Sequence, residues 1–117
     1  AVCGSHDIDV DEWRRFADAP SSQRLSWLWN IVGRMKTDEK ALLLQFSTGS
    51  ALVPVGGFAK LSPRWSVHFN EYMPAAKLPT TSTCFNTMNC PKYPSEEIFE
   101  QRLMTAIRHG AAGFAFA

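Results

Sequence analysis

A chain of 117 residues, 45% apolar and 20% charged, has the size and composition of one domain with its own core, far from the polar compositions that stay unfolded. Twelve basic against eleven acidic residues give a net charge of +1, and no basic run exceeds Arg14-Arg15, which excludes the basic stripe that nucleic acid or an anionic membrane requires. No apolar run reaches the length of a membrane span, and the first residues lack the basic start and apolar body of a signal peptide. An intracellular, cytoplasmic domain is expected, with the nucleus also open to it.

Residues 1–6 are small and polar and read as a linker, with the domain proper over 7–117. Asp9 and Glu12 make a capping pattern, and Trp13, Phe16 and Ala17 follow at helical spacing, predicting a helix over 10–18. Pro20 and the serines behind it end that helix and start a second over 23–35. There Leu25, Leu28, Trp29, Val32 and Met35 form one stripe, while Trp27 and Ile31 add apolar surface on another side. A tryptophan stripe can serve as a ligand platform, but at this spacing core packing is the expectation. Thr37 is expected to cap a third helix that buries Leu42, Leu43 and Phe46 and stops at Gly49.

The pattern then changes. Val53-Pro54-Val55-Gly56-Gly57-Phe58 mixes strand and turn formers, and lacks the spaced glycines and Lys-Ser/Thr of a phosphate loop. Trp65-Ser66-Val67-His68-Phe69-Asn70 alternates apolar and polar, the clearest strand, with His68 on its solvated side. After a proline-bounded loop over 74–79, Phe85-Asn86-Thr87-Met88 reads as another strand. Ser95, Glu96 and Glu97 open a helix with Phe99, Leu103, Ala106 and Ile107 as its buried stripe and Gly110 as its stop. An α+β fold is expected, with a small sheet of four strands or so, built near Phe58, residues 65–69 and residues 84–88, and packed by the flanking helices.

Three cysteines, Cys3, Cys84 and Cys90, cannot all pair within the chain, and free thiols in a reducing compartment fit better. Cys3-Gly-Ser-His6 has no second half-site of like compactness, so neither a metal nor another cofactor is expected. Cys84 stands apart. Three threonines and a serine precede it and Pro79 stiffens the approach, placing the thiol at a loop-to-strand junction, accessible yet held. A cysteine is already a few per cent thiolate at neutral pH and attacks an activated carbonyl without a dedicated base. A cysteine hydrolase would need a histidine partner and an oxyanion hole, and none of His6, His68 and His109 has a context that marks such a pair.

Five segments, taken in order, resemble the C-terminal lobe of a HECT-type ubiquitin-protein ligase. They are Cys3-Gly4-Ser5 with Asp7-Ile8-Asp9; the run from Leu43 to Ser50; the run from Val53 to Phe58; Leu78-Pro79 with Thr83-Cys84-Phe85-Asn86; and Pro91-x-Tyr93-Pro94-Ser95. The resemblance covers nearly the whole chain. It implies that Cys84 takes ubiquitin from a ubiquitin-conjugating enzyme as a thioester and passes it to a substrate lysine, in a pathway that feeds proteasomal degradation. The partners implied are ubiquitin, the conjugating enzyme through a larger N-terminal lobe, and protein substrates, with no nucleic acid and no membrane. Thr83, Phe85, Asn86, Ser82 and Pro79 would support the loop, with Ser82 standing where many members carry histidine. Phe114, fourth from the end, would be the tail aromatic that docks on the N-terminal lobe, and the Ala117 carboxylate is a candidate base. Two other readings are a non-catalytic ubiquitin- or partner-binding module and a cysteine hydrolase.

Overall fold

The computed structural model describes residues 4–5 and 8–116, with side chains over 8–109. The elements are β1 (Gly4–Ser5), α1 (Val10–Phe16), α2 (Gln23–Arg34), α3 (Thr37–Thr48), β2 (Val53–Pro54), β3 (Ser66–Asn70), β4 (Thr80–Ser82), β5 (Thr87–Pro91) and α4 (Glu96–Phe116). Two 3₁₀ turns, Phe58–Lys60 and Thr83–Phe85, interrupt the connections.

The helices begin where a side chain satisfies their first N–H groups. The Asp9 carboxylate accepts from Asp11 and Glu12, the Ser22 hydroxyl from Leu25 and the Ser95 hydroxyl from Ile98. In α3 the expected cap is displaced by one residue: Thr37 is already helical, and the Lys36 N–H donates to Glu39 Oε1 at 2.8 Å. Gly49, at φ 86°, ends α3 as expected. α1 stops at Phe16, short of the expected residue 18, because the Asp18 N–H is drawn to the Trp65 carbonyl at 2.7 Å. α4 does not stop at Gly110. It continues to Phe116, the helix propensity of Ala111, Ala112 and Ala115 outweighing the two glycines.

The α+β class is as expected, but the sheet is differently composed. It has three strands in the order β3-β5-β4, with β3 parallel and β4 antiparallel to β5, so that Val67 and Thr81 both register with Met88. The expected strand at residues 85–88 begins only at Thr87, and the segment near Phe58 is no strand of this sheet. Gly56 (φ 94°) and Gly57 (φ 88°) bend the chain there. The space a Gly57 side chain would take is filled by the Glu12 carboxylate, whose Oε1 accepts the Phe58 N–H at 2.7 Å. The paired glycines therefore build a clamp between α1 and this turn. Just before it, β1 and β2 make a separate antiparallel pair.

The core lies between the sheet and the helices. Trp13 stacks on Phe58 at 5.1 Å and meets Trp65 and Trp29 edge-on at 5.3 and 6.2 Å. Leu28, Trp29, Ile31 and Val32 are buried on α2, as core packing of its stripe requires. On α3 the buried residues are Leu43, Leu44 and Ser47, while Leu42 and Phe46 are half-buried. Ser47 explains the rotation: its hydroxyl accepts the Trp65 indole N–H at 2.7 Å and donates to the Leu43 carbonyl at 2.8 Å. A buried indole N–H left unpaired would cost about 1–3 kcal/mol. α4 contributes Phe99, Leu103 and Ile107, each burial contributing roughly 1.5–3 kcal/mol. At its rim Arg34 pairs with Glu96 and Glu100, and Arg108 with Glu39. These solvated pairs orient α4 more than they stabilise it.

Candidate active site

Strand alternation gives the three-stranded sheet two unlike faces. Val67, Met88 and Cys90 point into the core and are fully buried. The opposite face carries Ser66, Thr87 and Ser82 in one row and His68, Asn89 and Thr80 in the next. His68 is exposed there, as its place in the alternation predicted. The closing pair Ser82 and Thr87 leaves residues 83–86 as a four-residue hairpin loop, and Cys84 stands in the middle of it. The cysteine therefore sits on a turn between two strands, not at the head of a strand.

Asn86 closes the turn. It holds φ 50° and ψ 43°, a left-handed conformation that asparagine tolerates better than most residues. Its N–H donates to the Thr83 carbonyl at 3.2 Å, and its own carbonyl accepts the Ser66 N–H at 3.0 Å. The side-chain Nδ2 donates to the Pro63 carbonyl at 2.7 Å. With 6% of its surface exposed, Asn86 is one of two buried polar residues among the described ones, Ser47 being the other. Thr83 faces the end of α3, where a side chain on Gly49 would come within 3.8 Å of its Cβ. The Thr87 hydroxyl donates to the Phe85 carbonyl at 2.9 Å.

The residues expected to support the loop divide into three groups. Thr83 and Asn86 brace it. Cys84 and Phe85 are exposed, Phe85 at 65%, so the thiol stands beside an open aromatic face. Ser82 is exposed on the polar sheet face, and Pro79 is buried where the chain enters β4. That entry is stitched down by Tyr93, whose hydroxyl donates to the Lys77 carbonyl at 2.6 Å. Burial pushes the Tyr93 phenol well above its usual range, helped by the nearby Cys90, while Arg102 acts in the opposite sense. Burial likewise pushes the Cys90 thiol far up.

Pro63, Ser66, Trp65 and Ser47 carry the brace from the core to the turn, and a one-dimensional reading does not find them. They lie 18 to 23 residues from their partners across Trp65–Ser47 and Asn86–Pro63. The only local sign was an Asn at the end of a short polar loop, a usual left-handed position. Among the described residues no three His, Cys, Asp or Glu side chains gather to hold a metal ion, and no helix is long and apolar enough to cross a membrane. Cys3, His6 and the side chain of Phe114 lie outside the described residues.

The chain matches the HECT-domain (ubiquitin-transferase) family over residues 1–117. Over 99% of its length it is 37% identical to the E3 ubiquitin-protein ligase HACE1 of Xenopus tropicalis and 36% identical to that of Homo sapiens, covering 14% of each. It is 35% identical to the E3 ubiquitin-protein ligase ptr1 of Schizosaccharomyces pombe, again over 99% of the chain but 4% of that protein. The chain thus spans a small part of the length of these relatives. A match of this extent, which includes the turn carrying Cys84, makes this chain a member of the HECT-domain family.

Proposed function

We propose that this chain is the thioester-carrying lobe of a HECT ubiquitin-protein ligase, with Cys84 as its nucleophile. The observation that carries the reading is an exposed thiol on a turn fixed by hydrogen bonds to β3 and braced by α3. A thiol so placed meets a bulky protein thioester without rearranging the lobe.

In the first transfer the Cys84 thiolate attacks the carbonyl carbon of the ubiquitin thioester on a conjugating enzyme. The old carbon–sulfur bond breaks, and the conjugating enzyme's sulfur leaves as a thiolate and takes up a proton. In the second, a substrate lysine amine attacks the new thioester, Cys84 leaves as thiolate, and the amine loses its proton to solvent or a base. Exchange of one thioester for another is nearly balanced, whereas amide formation is downhill, so the relay runs one way. The first step needs no base beside the thiol, because the thioester it attacks is already activated. Ser82, which neither charges nor accepts a proton near neutral pH, is therefore compatible with transfer. The exposed Phe85 ring offers an apolar contact for the tail of the incoming ubiquitin.

In this reading the conjugating enzyme docks on an N-terminal lobe, Phe114 docks the tail on that lobe during lysine transfer, and ubiquitinated substrates pass to the proteasome in the cytoplasm. The test is reconstitution of the full ligase with ubiquitin, activating enzyme and conjugating enzyme. A ubiquitin adduct that reductant removes should form, and Cys84→Ala should abolish it. An adduct that persists in the alanine variant overturns the assignment, and cleavage of ubiquitin esters or amides by the native protein alone would favour a hydrolase.

A further inference from the structure

We propose that Asn86 is the positioning residue of the Cys84 turn, setting the thiol's presentation for thioester exchange through its side-chain bond to Pro63. This rests on the reading of Cys84 as the ubiquitin carrier. The argument begins with what the turn lacks. Cys84 and Phe85 are exposed, so packing does not hold the tip of the turn. Their placement falls to hydrogen bonds, and three of those meet at Asn86: to Thr83 within the turn, from Ser66 at the start of β3, and to Pro63 ahead of it.

The anchor at the far end is rigid. Between Pro63 and Ser66 lies Trp65, fully buried, whose indole N–H is held by Ser47 of α3 and whose carbonyl accepts the Asp18 N–H. A continuous path therefore runs from Ser47 through Trp65 and Ser66 to Asn86, and on through Thr83 to the nucleophile. The chemistry of the side chain is also specific. A carbonyl only accepts, so Pro63 demands a donor, and the amide nitrogen of Asn86 supplies it within a left-handed backbone conformation. Aspartate has nearly the same shape and the same backbone tolerance but would set an acceptor against that carbonyl. Glycine keeps the backbone conformation and deletes the bond.

Those two variants separate presentation from folding. In the full ligase, Asn86→Asp and Asn86→Gly are each compared with native protein for single-turnover transfer from a ubiquitin-loaded conjugating enzyme, and for Cys84 alkylation by iodoacetamide, a reagent too small to need docking. The expected result is a fall in the transfer rate of roughly 10- to 100-fold, the scale of a misplaced reacting atom. KM for the conjugating enzyme and the alkylation rate should stay close to native, while the thermal midpoint falls only by what one buried hydrogen bond contributes. Transfer at the native rate in the folded variants overturns the proposal. So does a loss in which transfer, alkylation and midpoint fall together, because that marks a structural role alone. Should Asn86→Asp fail to fold, Asn86→Gly decides by the same readouts. If native protein forms no adduct, the reading of Cys84 fails; if native protein works and the variants match it, only Asn86 loses its role.

Discussion

Two cysteines six positions apart live in opposite environments. Cys84 stands on a hydrogen-bonded turn in solvent, whereas Cys90 lies on β5 with none of its surface exposed and its thiol pushed far up by burial. The same hairpin thus presents one sulfur and hides another. Reactivity follows from which residues lie beneath each: Cys90 is enclosed by the core, and Cys84 by nothing but the bonds that aim it. The thiolate is the reactive form, so an enclosed thiol that resists ionisation is inert while an exposed one is available.

The largest expected break in this comparison is functional. Cys84→Ala should remove the reductant-sensitive ubiquitin adduct entirely, while Cys90→Ala keeps it, read on a non-reducing gel of the reconstituted reaction. Next is accessibility. Peptide-resolved alkylation at neutral pH should modify Cys84 at least roughly 1,000-fold faster than Cys90, because Cys90 waits for global opening, whose equilibrium constant is about one in a thousand or smaller. Comparable rates would mean that β5 opens locally.

A stability comparison sharpens the same contrast. Met88→Ala, on the buried face, should cost about 2–5 kcal/mol, whereas Phe85→Ala, on the exposed turn, should stay within about 0.5 kcal/mol, both measured by denaturant unfolding. The smallest effect is alkaline. Cys90 and Tyr93 have ordinary values of 9.0 and 10.0, and the fold raises both. Folding therefore favours their protonated forms, so their contribution is fully present below pH 9 and declines as pH rises, when the unfolded chain releases protons the fold retains. Unfolding midpoints should fall above pH 9 in the native protein and less steeply in Cys90→Ala.

Much of this fold is written locally. Asp9, Ser22, Ser95 and Gly49 announce helix ends through short-range bonds, and the alternation at residues 65–70 announces β3. Cys84 was legible too, from the polar run before it. What escaped depends on distance in the chain. β4 has three polar residues and no apolar signal, and becomes a strand only because β5 is there to pair with it. The Phe58 segment reads as a strand until Glu12, 46 residues away, takes its N–H. The rotation of α3 toward Ser47 answers to Trp65, and the brace on Asn86 answers to Pro63. Each is a partner that no local window contains.

The parallel pairing of β3 with β5 has a consequence for the order of assembly. The β4–β5 hairpin closes over four residues and can form within microseconds, but its lock to β3 waits for a crossover and for the tryptophan cluster to gather from α1, α2 and Trp65, just ahead of β3. Before that closure Cys84 thus belongs to a hairpin not yet fixed to the rest of the chain. It acquires its aim only when distant segments have closed around it. Presentation of the Cys84 thiol is in this sense a property of the closed fold, and a partly opened chain carries the thiol without it.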